Sequence, residues 1–403
     1  MSRTFQRRRI VLYLPSLKGG GAERVFINLG CGFRDAGHDV AMLLDRATGD
    51  YLTQAKQHGF AIHELGVEKT TRALPHLRAW LQAYPADVLL SGLLANNLNA
   101  AALKLCPEGR NMRVVISDHT VISQQLRLAC SSWRAPLFRR ALRVLYPRAD
   151  AVVAVSHGVA SDLMALAPGL PRPPVVISNP VLPNDFATLY RQPIDRPDLA
   201  DLPRPIILGV GRLHIQKGFD LLIEAFARLA ARQRGTLVIL GQGAEEAKLR
   251  ALAEQLGVGR RVVFAGFTDS IYPWYRWADL FALTSRWEGF GNVLIEAMGA
   301  GTPVVSVNCP SGPAEILAHG KYGLLVPQND PELLSDALRY GLEMNINQRA
   351  AARKRATEFC IGRVSARYLE LLLPATGERL SENTKVPVTP LNRRFTVNHL
   401  DAA

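Results

Sequence analysis

EGFGNVLIEAMGAGTPVVSVN, residues 288–308, reads as a glycine turn, a helix and a β-branched strand in succession. Gly289 and Gly291 permit a tight backbone with Phe290 between them, NVLIEAM has helical spacing, and PVVSVN is a short apolar run. A helix leading through one more glycine turn into such a strand is the repeating unit of a parallel sheet. The start of this helix would leave backbone N–H groups free near Asn292 and Val293, where anions bind. Two carboxylates, Glu288 and Glu296, nevertheless flank that anion site, and each would repel a phosphate.

The same alternation runs through the whole chain. In the first half RIVLYLP, DVAMLLD, DVLLSG, RVVISDH and AVVAVS are short apolar runs separated by helical stretches such as AERVFINLGCGFRDA. In the second half PIILGVG, TLVILGQG, RVVFAGF, DLFALTS and PVVSVN repeat the scheme. This pattern predicts an α/β protein of two doubly wound, Rossmann-like domains facing across a cleft, each built on a parallel sheet covered on both faces. The expected limits are residues 1–181 for the first domain, a polar, proline-rich linker at 182–204, and a second domain at 205–345. One long helix is expected over 346–373, followed by a pattern-poor and mobile tail. Ligands of such sheets sit beyond the carboxyl ends of the strands, and four glycine turns qualify: LKGGGAER, GVGRLHIQKG, LGQGAEE and EGFGN.

Composition supports a large globular chain. Its 403 residues are 48% hydrophobic, enough to fill two cores. Five scattered cysteines with no CxxC pair indicate neither a disulfide framework nor a zinc site, which suits a reducing cytoplasm. The basic N-terminus is followed by only about eight apolar residues and then by glycines, so it reads as a first strand and not a signal peptide. No apolar run reaches the roughly 18 residues a spanning helix needs. The formal charge is +13, and residues 121–150 concentrate it, with six arginines and a single acid. After Pro136 the spacing places Leu137, Phe138, Ala141, Leu142 and Leu145 on one helical face and Arg139, Arg140 and Arg143 on another. Such a helix suits an anionic membrane surface as well as its own domain. No nucleic-acid motif accompanies the charge.

No turn is GxGxxG and no GxxxxGK[ST] occurs, which disfavours dinucleotide and P-loop readings. Asp-x-Asp is also missing, so no metal site is expected and a bound phosphate must be neutralised by protein groups. Arg212 and Lys217, leaving a strand end in GRLHIQKG, form a candidate clamp.

The set formed by Arg212 and Lys217 (R-x4-K), Glu288 and Glu296 (E-x7-E), the GGGAER turn and the histidine ending a strand in SDHT resembles the family-four retaining nucleotide-sugar glycosyltransferases of GT-B fold. The resemblance spans roughly residues 10–373. It implies that Arg212 and Lys217 hold the donor diphosphate, with Asn292 and Val293 offering N–H groups, Glu296 binding the ribose and Glu288 the transferred sugar. The two carboxylates then face hydroxyls, and the helix start faces phosphate. His119 would hydrogen-bond the sugar, Gly20 and Gly21 would approach the phosphate, and Gly266 and Phe267 would line the base. No cofactor is implied, since the nucleotide sugar is a substrate.

NCPSGPAEIL, residues 308–317, resembles bacterial enzymes that extend lipid-linked oligosaccharides or lipopolysaccharide. With the arginine-rich segment it implies an acceptor at the anionic inner face of the plasma membrane and a cytoplasmic, peripheral location. UDP is the expected nucleotide, and nothing in the sequence specifies the sugar. A sugar-nucleotide 2-epimerase of similar fold and a non-catalytic nucleotide-sugar or lipid binder remain alternatives.

Overall fold

The computed structural model describes residues 6–129, 134–194, 196–199, 201–268 and 270–374. The first domain has a seven-stranded sheet of β1 (Arg9–Leu14), β2 (Asp39–Leu44), β3 (Ala61–Glu64), β4 (Val88–Gly92), β5 (Arg113–Asp118), β6 (Ala151–Ala154) and β7 (Val175–Val176). Their order is β3-β2-β1-β4-β5-β6-β7, all parallel. The second has β8 (Ile206–Val210), β9 (Thr236–Leu240), β10 (Val262–Gly266), β11 (Leu280–Leu283), β12 (Val304–Val307) and β13 (Leu324–Val326), in the order β10-β9-β8-β11-β12-β13, again all parallel. Each sheet reverses its winding beside its first strand, between β1 and β4 and between β8 and β11, where doubly wound sheets bind ligands.

Both faces of each sheet are covered, which is why the strands read as continuous apolar runs. Ile10, Leu12 and Leu14 enter one core of the first domain while Val11 and Tyr13 enter the other. In β8 the alternation is Ile206, Leu208 and Val210 against Ile207. The apolar run near the N-terminus is thus a central strand. Three edge strands, β3, β7 and β13, escaped the sequence reading because they are short and only partly buried.

The final segment differs from the single helix expected. Helix Ile346–Ala356, opened by a capping box between Asn345 and Gln348, gives way to a 3-10 turn at Thr357–Phe359, and helix Ile361–Leu372 follows. Cys360 is extended and bridges Leu182, while Val181 N–H donates to Phe359 O at 2.8 Å and Ile361 N–H to Leu182 O at 2.8 Å. The chain crosses between the domains twice, and the two crossings are tied together there. The last helix lies on the first domain, where Val364, Tyr368, Leu371 and Leu372 join the core. The segment read as a linker is also built in: Leu182, Tyr190 and Leu199 are buried in the core cluster that runs from Val155 and Val159 of the first domain to Phe290 and Ile316 of the second. The tail after residue 374 lies outside the described residues.

The arginine-rich segment forms helix Arg134–Leu145. Leu142 is fully buried, but Leu137, expected on the same face, is 59% exposed, because the helix packs on its own domain at a different rotation. Arg139 and Arg140 are exposed, whereas Arg143 donates to Leu166 O at 2.9 Å. Among the described residues no helix is long and apolar enough to cross a membrane.

Candidate active site

A cleft of about 1850 Å³ separates the domains and is lined by every residue proposed from sequence: Gly20, Gly21, His119, Arg212, Lys217, Gly266, Phe267, Glu288, Gly289, Phe290, Gly291, Asn292, Val293 and Glu296. Single-ligand pockets run to about 1,000 Å³, so this cleft has room for two substrates.

Two helix starts converge in it. Gly291, at φ +102°, opens helix Asn292–Ala300, and Leu294 N–H reaches back to Gly291 O, leaving the N–H groups of Asn292 and Val293 unpaired among the described residues. Across the cleft Gly20 opens helix Gly21–Asp35, and a Cβ on Gly21 would lie 3.9 Å from Asn292 Nδ2. Both positive dipole ends therefore point into one space. A Cβ on Gly289 would come within 1.9 Å of the His119 carbonyl oxygen, so only glycine lets this turn touch the first domain.

Arg212 is exposed toward the cleft, and its guanidinium makes no hydrogen bond among the described residues, while its carbonyl accepts from His214 N–H at 2.8 Å. Lys217 leaves the same β8 loop and lies 2.5 Å from Glu288 Oε1, which also accepts from Ser285 Oγ at 2.6 Å. Glu288 Oε2 keeps no protein partner among the described residues. The loop around it is held from behind: Thr284 Oγ1 donates to Lys217 O at 3.0 Å, Gln216 Nε2 to Trp287 O at 3.0 Å, and Arg286 pairs with Asp220. Phe267, 57% exposed, follows Gly266 at φ +76° and presents a free aromatic face at the end of β10.

Glu296 is 2% exposed and already has partners. Arg24 Nη1, from the first domain, pairs with Oε1 at 3.0 Å, and Tyr275 OH donates to Oε2 at 2.7 Å. Arg24 Nη2 also donates to Tyr272 OH at 2.5 Å, and Tyr190 OH to the Glu296 carbonyl at 2.5 Å. Burial alone would lower the Arg24 pKa, and Glu296 together with Tyr272, Tyr51 and Tyr275 more than reverses this. Burial, with Glu296 adding to it, holds the Tyr275 phenol protonated. Sequence reasoning missed this arginine and these tyrosines. Arg24 stands inside the quoted GGGAER turn, but its partner is 272 positions away.

His119 follows β5 and is half-buried at the cleft wall, with the edge of Phe26 at 5.6 Å between ring centroids. Burial pushes its pKa down to about 4, with Asn179 pulling weakly the other way, so the ring is neutral at pH 7. Next to it Asp118 is pushed up to about 7 by burial, against hydrogen bonds from Tyr146 and Asn97. The loop at 308–317 lies on the domain interface: Glu315 accepts from His157 N–H at 2.9 Å and Gly158 N–H at 3.1 Å, and Ser311 Oγ donates to Gly289 O at 2.9 Å.

Residues 19–184 match the Glycosyltransferase Family 4 and residues 191–359 match the family of Glycosyl transferases group 1. An N-acetylgalactosamine-N,N'-diacetylbacillosaminyl-diphospho-undecaprenol 4-alpha-N-acetylgalactosaminyltransferase of Campylobacter jejuni is 30% identical over 91% of this chain and 100% of its own. A lipopolysaccharide core biosynthesis glycosyltransferase of Rhizobium meliloti is 35% identical over 55% of this chain and 64% of its own. Among solved structures, Anabaena Alr3699/HepE in complex with UDP and glucose superposes with a TM-score of 0.77 at 23% identity, over 91% of this chain and 99% of that one. WaaG, a glycosyltransferase involved in lipopolysaccharide biosynthesis, does so with a TM-score of 0.68 at 21% identity, over 91% of this chain and 100% of its own. These two likenesses concern the fold.

Proposed function

The chain belongs to the family-four glycosyltransferases and has their two-domain GT-B fold, and on that premise we propose that it is a retaining, metal-independent enzyme. It moves a hexosyl or N-acetylhexosaminyl group from a UDP-sugar to a lipid-linked or lipopolysaccharide glycan at the inner membrane face. The observation that carries this reading is the convergence of two helix starts with Arg212 and Lys217, flanked by Glu288 and Glu296. A ligand suited to all of them has a diphosphate in the middle and hydroxyls at both ends.

In this reading Arg212, Lys217 and the Asn292 and Val293 N–H groups hold the diphosphate. Gly20 and Gly21 let the first domain close over it, and Phe267 covers the base. Glu296 takes the ribose: each of its oxygens receives one protein donor and retains acceptor capacity. Glu288 turns its unpaired Oε2 to the sugar. The acceptor oxygen attacks C1 from the face the diphosphate leaves. The C1–O bond to phosphate breaks with its electrons on the phosphate oxygen, that oxygen takes the acceptor's proton, and the new C1–O bond keeps the anomeric configuration. Negative charge builds on the diphosphate as this happens, which is where the preorganised cations and N–H groups lower the barrier.

The test is a panel of radiolabelled nucleotide sugars with a membrane lipid extract, run with and without EDTA. Label transfer from a UDP-sugar to lipid, with the donor's anomeric configuration and an unchanged rate in EDTA, is the expected result. Loss of turnover in EDTA that magnesium or manganese restores would remove the metal-independent reading, and C2 inversion without transfer would replace transferase by epimerase.

A further inference from the structure

We propose that Tyr368, on the helix that crosses back to the first domain, acts through Ser117 to hold His119 in the tautomer protonated on Nδ1, so that the imidazole donates toward Asn179 at the wall of the cleft. The inference rests on the reading above that the transferred sugar lies beside His119.

Ser117 and His119 flank the end of β5, and Ser117 Oγ lies 3.0 Å from His119 Nε2 and 3.2 Å from Tyr368 OH. Ser117 and Tyr368 are both fully buried, so the three groups must satisfy one another. Three proton arrangements are possible, and in one of them Ser117 accepts from both Nε2–H and the phenol, which leaves the serine proton with no acceptor among the described residues. If Nε2 carried the proton and donated to Ser117 while the serine donated to Tyr368, the phenol proton would have no acceptor among the described residues. If Tyr368 donates to Ser117 and Ser117 to Nε2, every proton in the chain is used. This last arrangement puts the ring proton on Nδ1, because the imidazole is neutral.

Nδ1 is buried within the protein, has no hydrogen-bond partner among the described residues, and belongs to a residue that lines the cleft. Asn179 Oδ1 is likewise unpartnered, while Asn179 Nδ2 donates to Asn292 Oδ1 at 2.8 Å. The Nδ1 proton therefore faces the Asn179 side chain, which acts on His119 against burial and itself bonds to the first residue of the anion-binding helix. Docking of helix Ile361–Leu372 on the first domain thus sets the chemistry of a residue in the cleft, and Tyr368 is a positioning residue.

Two-bond 1H–15N correlation spectra of the 15N-histidine-labelled enzyme read the tautomer directly, with the His119 signals assigned by their loss in His119→Asn. The expected pattern in the parent is a protonated Nδ1 at pH 7. Tyr368→Phe should move the signals toward the Nε2–H form and lower kcat/KM for the donor roughly 3- to 10-fold, the worth of one neutral hydrogen bond, with UDP affinity unchanged. Ser117→Ala should do the same should Tyr368→Phe fold poorly. His119→Asn, which keeps a donor at the Nδ1 position, should retain more activity than His119→Gln. An Nε2–H tautomer in the parent, or an unaltered tautomer in both Tyr368→Phe and Ser117→Ala, overturns the proposal. A correct tautomer response with no effect of His119→Ala on kcat/KM would instead overturn the placement of the sugar.

Discussion

Glu288 and Glu296 are alike in sequence but differ in what holds them. Glu288 shares one oxygen with Lys217 and Ser285 and leaves the other open to the cleft, whereas Glu296 is buried against Arg24 and Tyr275. Glu296→Gln keeps the shape but weakens charge-assisted bonds worth about 1.5–3 kcal/mol, so calorimetry should show UDP binding roughly 10- to 150-fold weaker. Glu288→Gln should bind UDP as the parent does and lose the sugar-dependent part of donor affinity; equal UDP binding in both variants would remove Glu296 from the ribose. Asp118 gives a separate prediction. Its native pKa of about 7 lies above the unfolded value, so the folded state binds the extra proton between about pH 4 and 7. That contribution is complete below pH 4 and is lost as pH rises through 7, with a slope of up to about 1.4 kcal/mol per pH unit. Asp118→Asn keeps an oxygen for Tyr146 and Asn97 and cannot ionise. Thermal melts should show the variant gaining on the parent from pH 5 to 8; a constant difference would rule the effect out.

At the scale of elements, the final helix shows where a pattern stops being sufficient. Residues 346–373 contain no proline and only one glycine, Gly362, so helical propensity runs through them. What interrupts the helix is pairing of residues 359–361 with Val181 and Leu182, a contact between segments far apart in sequence. Gly32 lies in the last turn of helix Gly21–Asp35, where glycine lowers helix propensity, and its neighbour explains it: a Cβ there would come within 2.1 Å of Ser365 Oγ and 2.6 Å of Ser365 Cβ. Gly32→Ala should therefore destabilise by about 1–3 kcal/mol despite its better helix propensity, because two backbones must separate. A melting temperature at or above the parent's would show that the helices are free to shift. Paired with Ser365→Gly, the same substitution should recover part of the loss.

For the whole molecule, exposed Leu137, Arg139 and Arg140 present apolar and cationic groups on one outer surface of the first domain. Each arginine near an anionic bilayer contributes on the order of 1 kcal/mol, so binding should be reversible and sensitive to salt. Replacing Arg139 and Arg140 with glutamine, and leaving Arg143 to hold Leu166, should reduce co-sedimentation with anionic liposomes while preserving UDP affinity. Undiminished binding at about 0.15 M salt would place the acceptor-bearing surface elsewhere. Two parallel-sheet domains and the glycine turns at their strand ends were legible without coordinates because period and turn chemistry are local properties of a chain, and the cleft residues from Gly20 to Glu296 were named through the resemblance of their motifs to a known family. Local sequence could not show that Arg24 pairs with Glu296, that the linker is part of the core, or that Tyr368 reaches Ser117. Those contacts join residues 106 to 272 positions apart, and only tertiary packing decides which buried polar groups find one another.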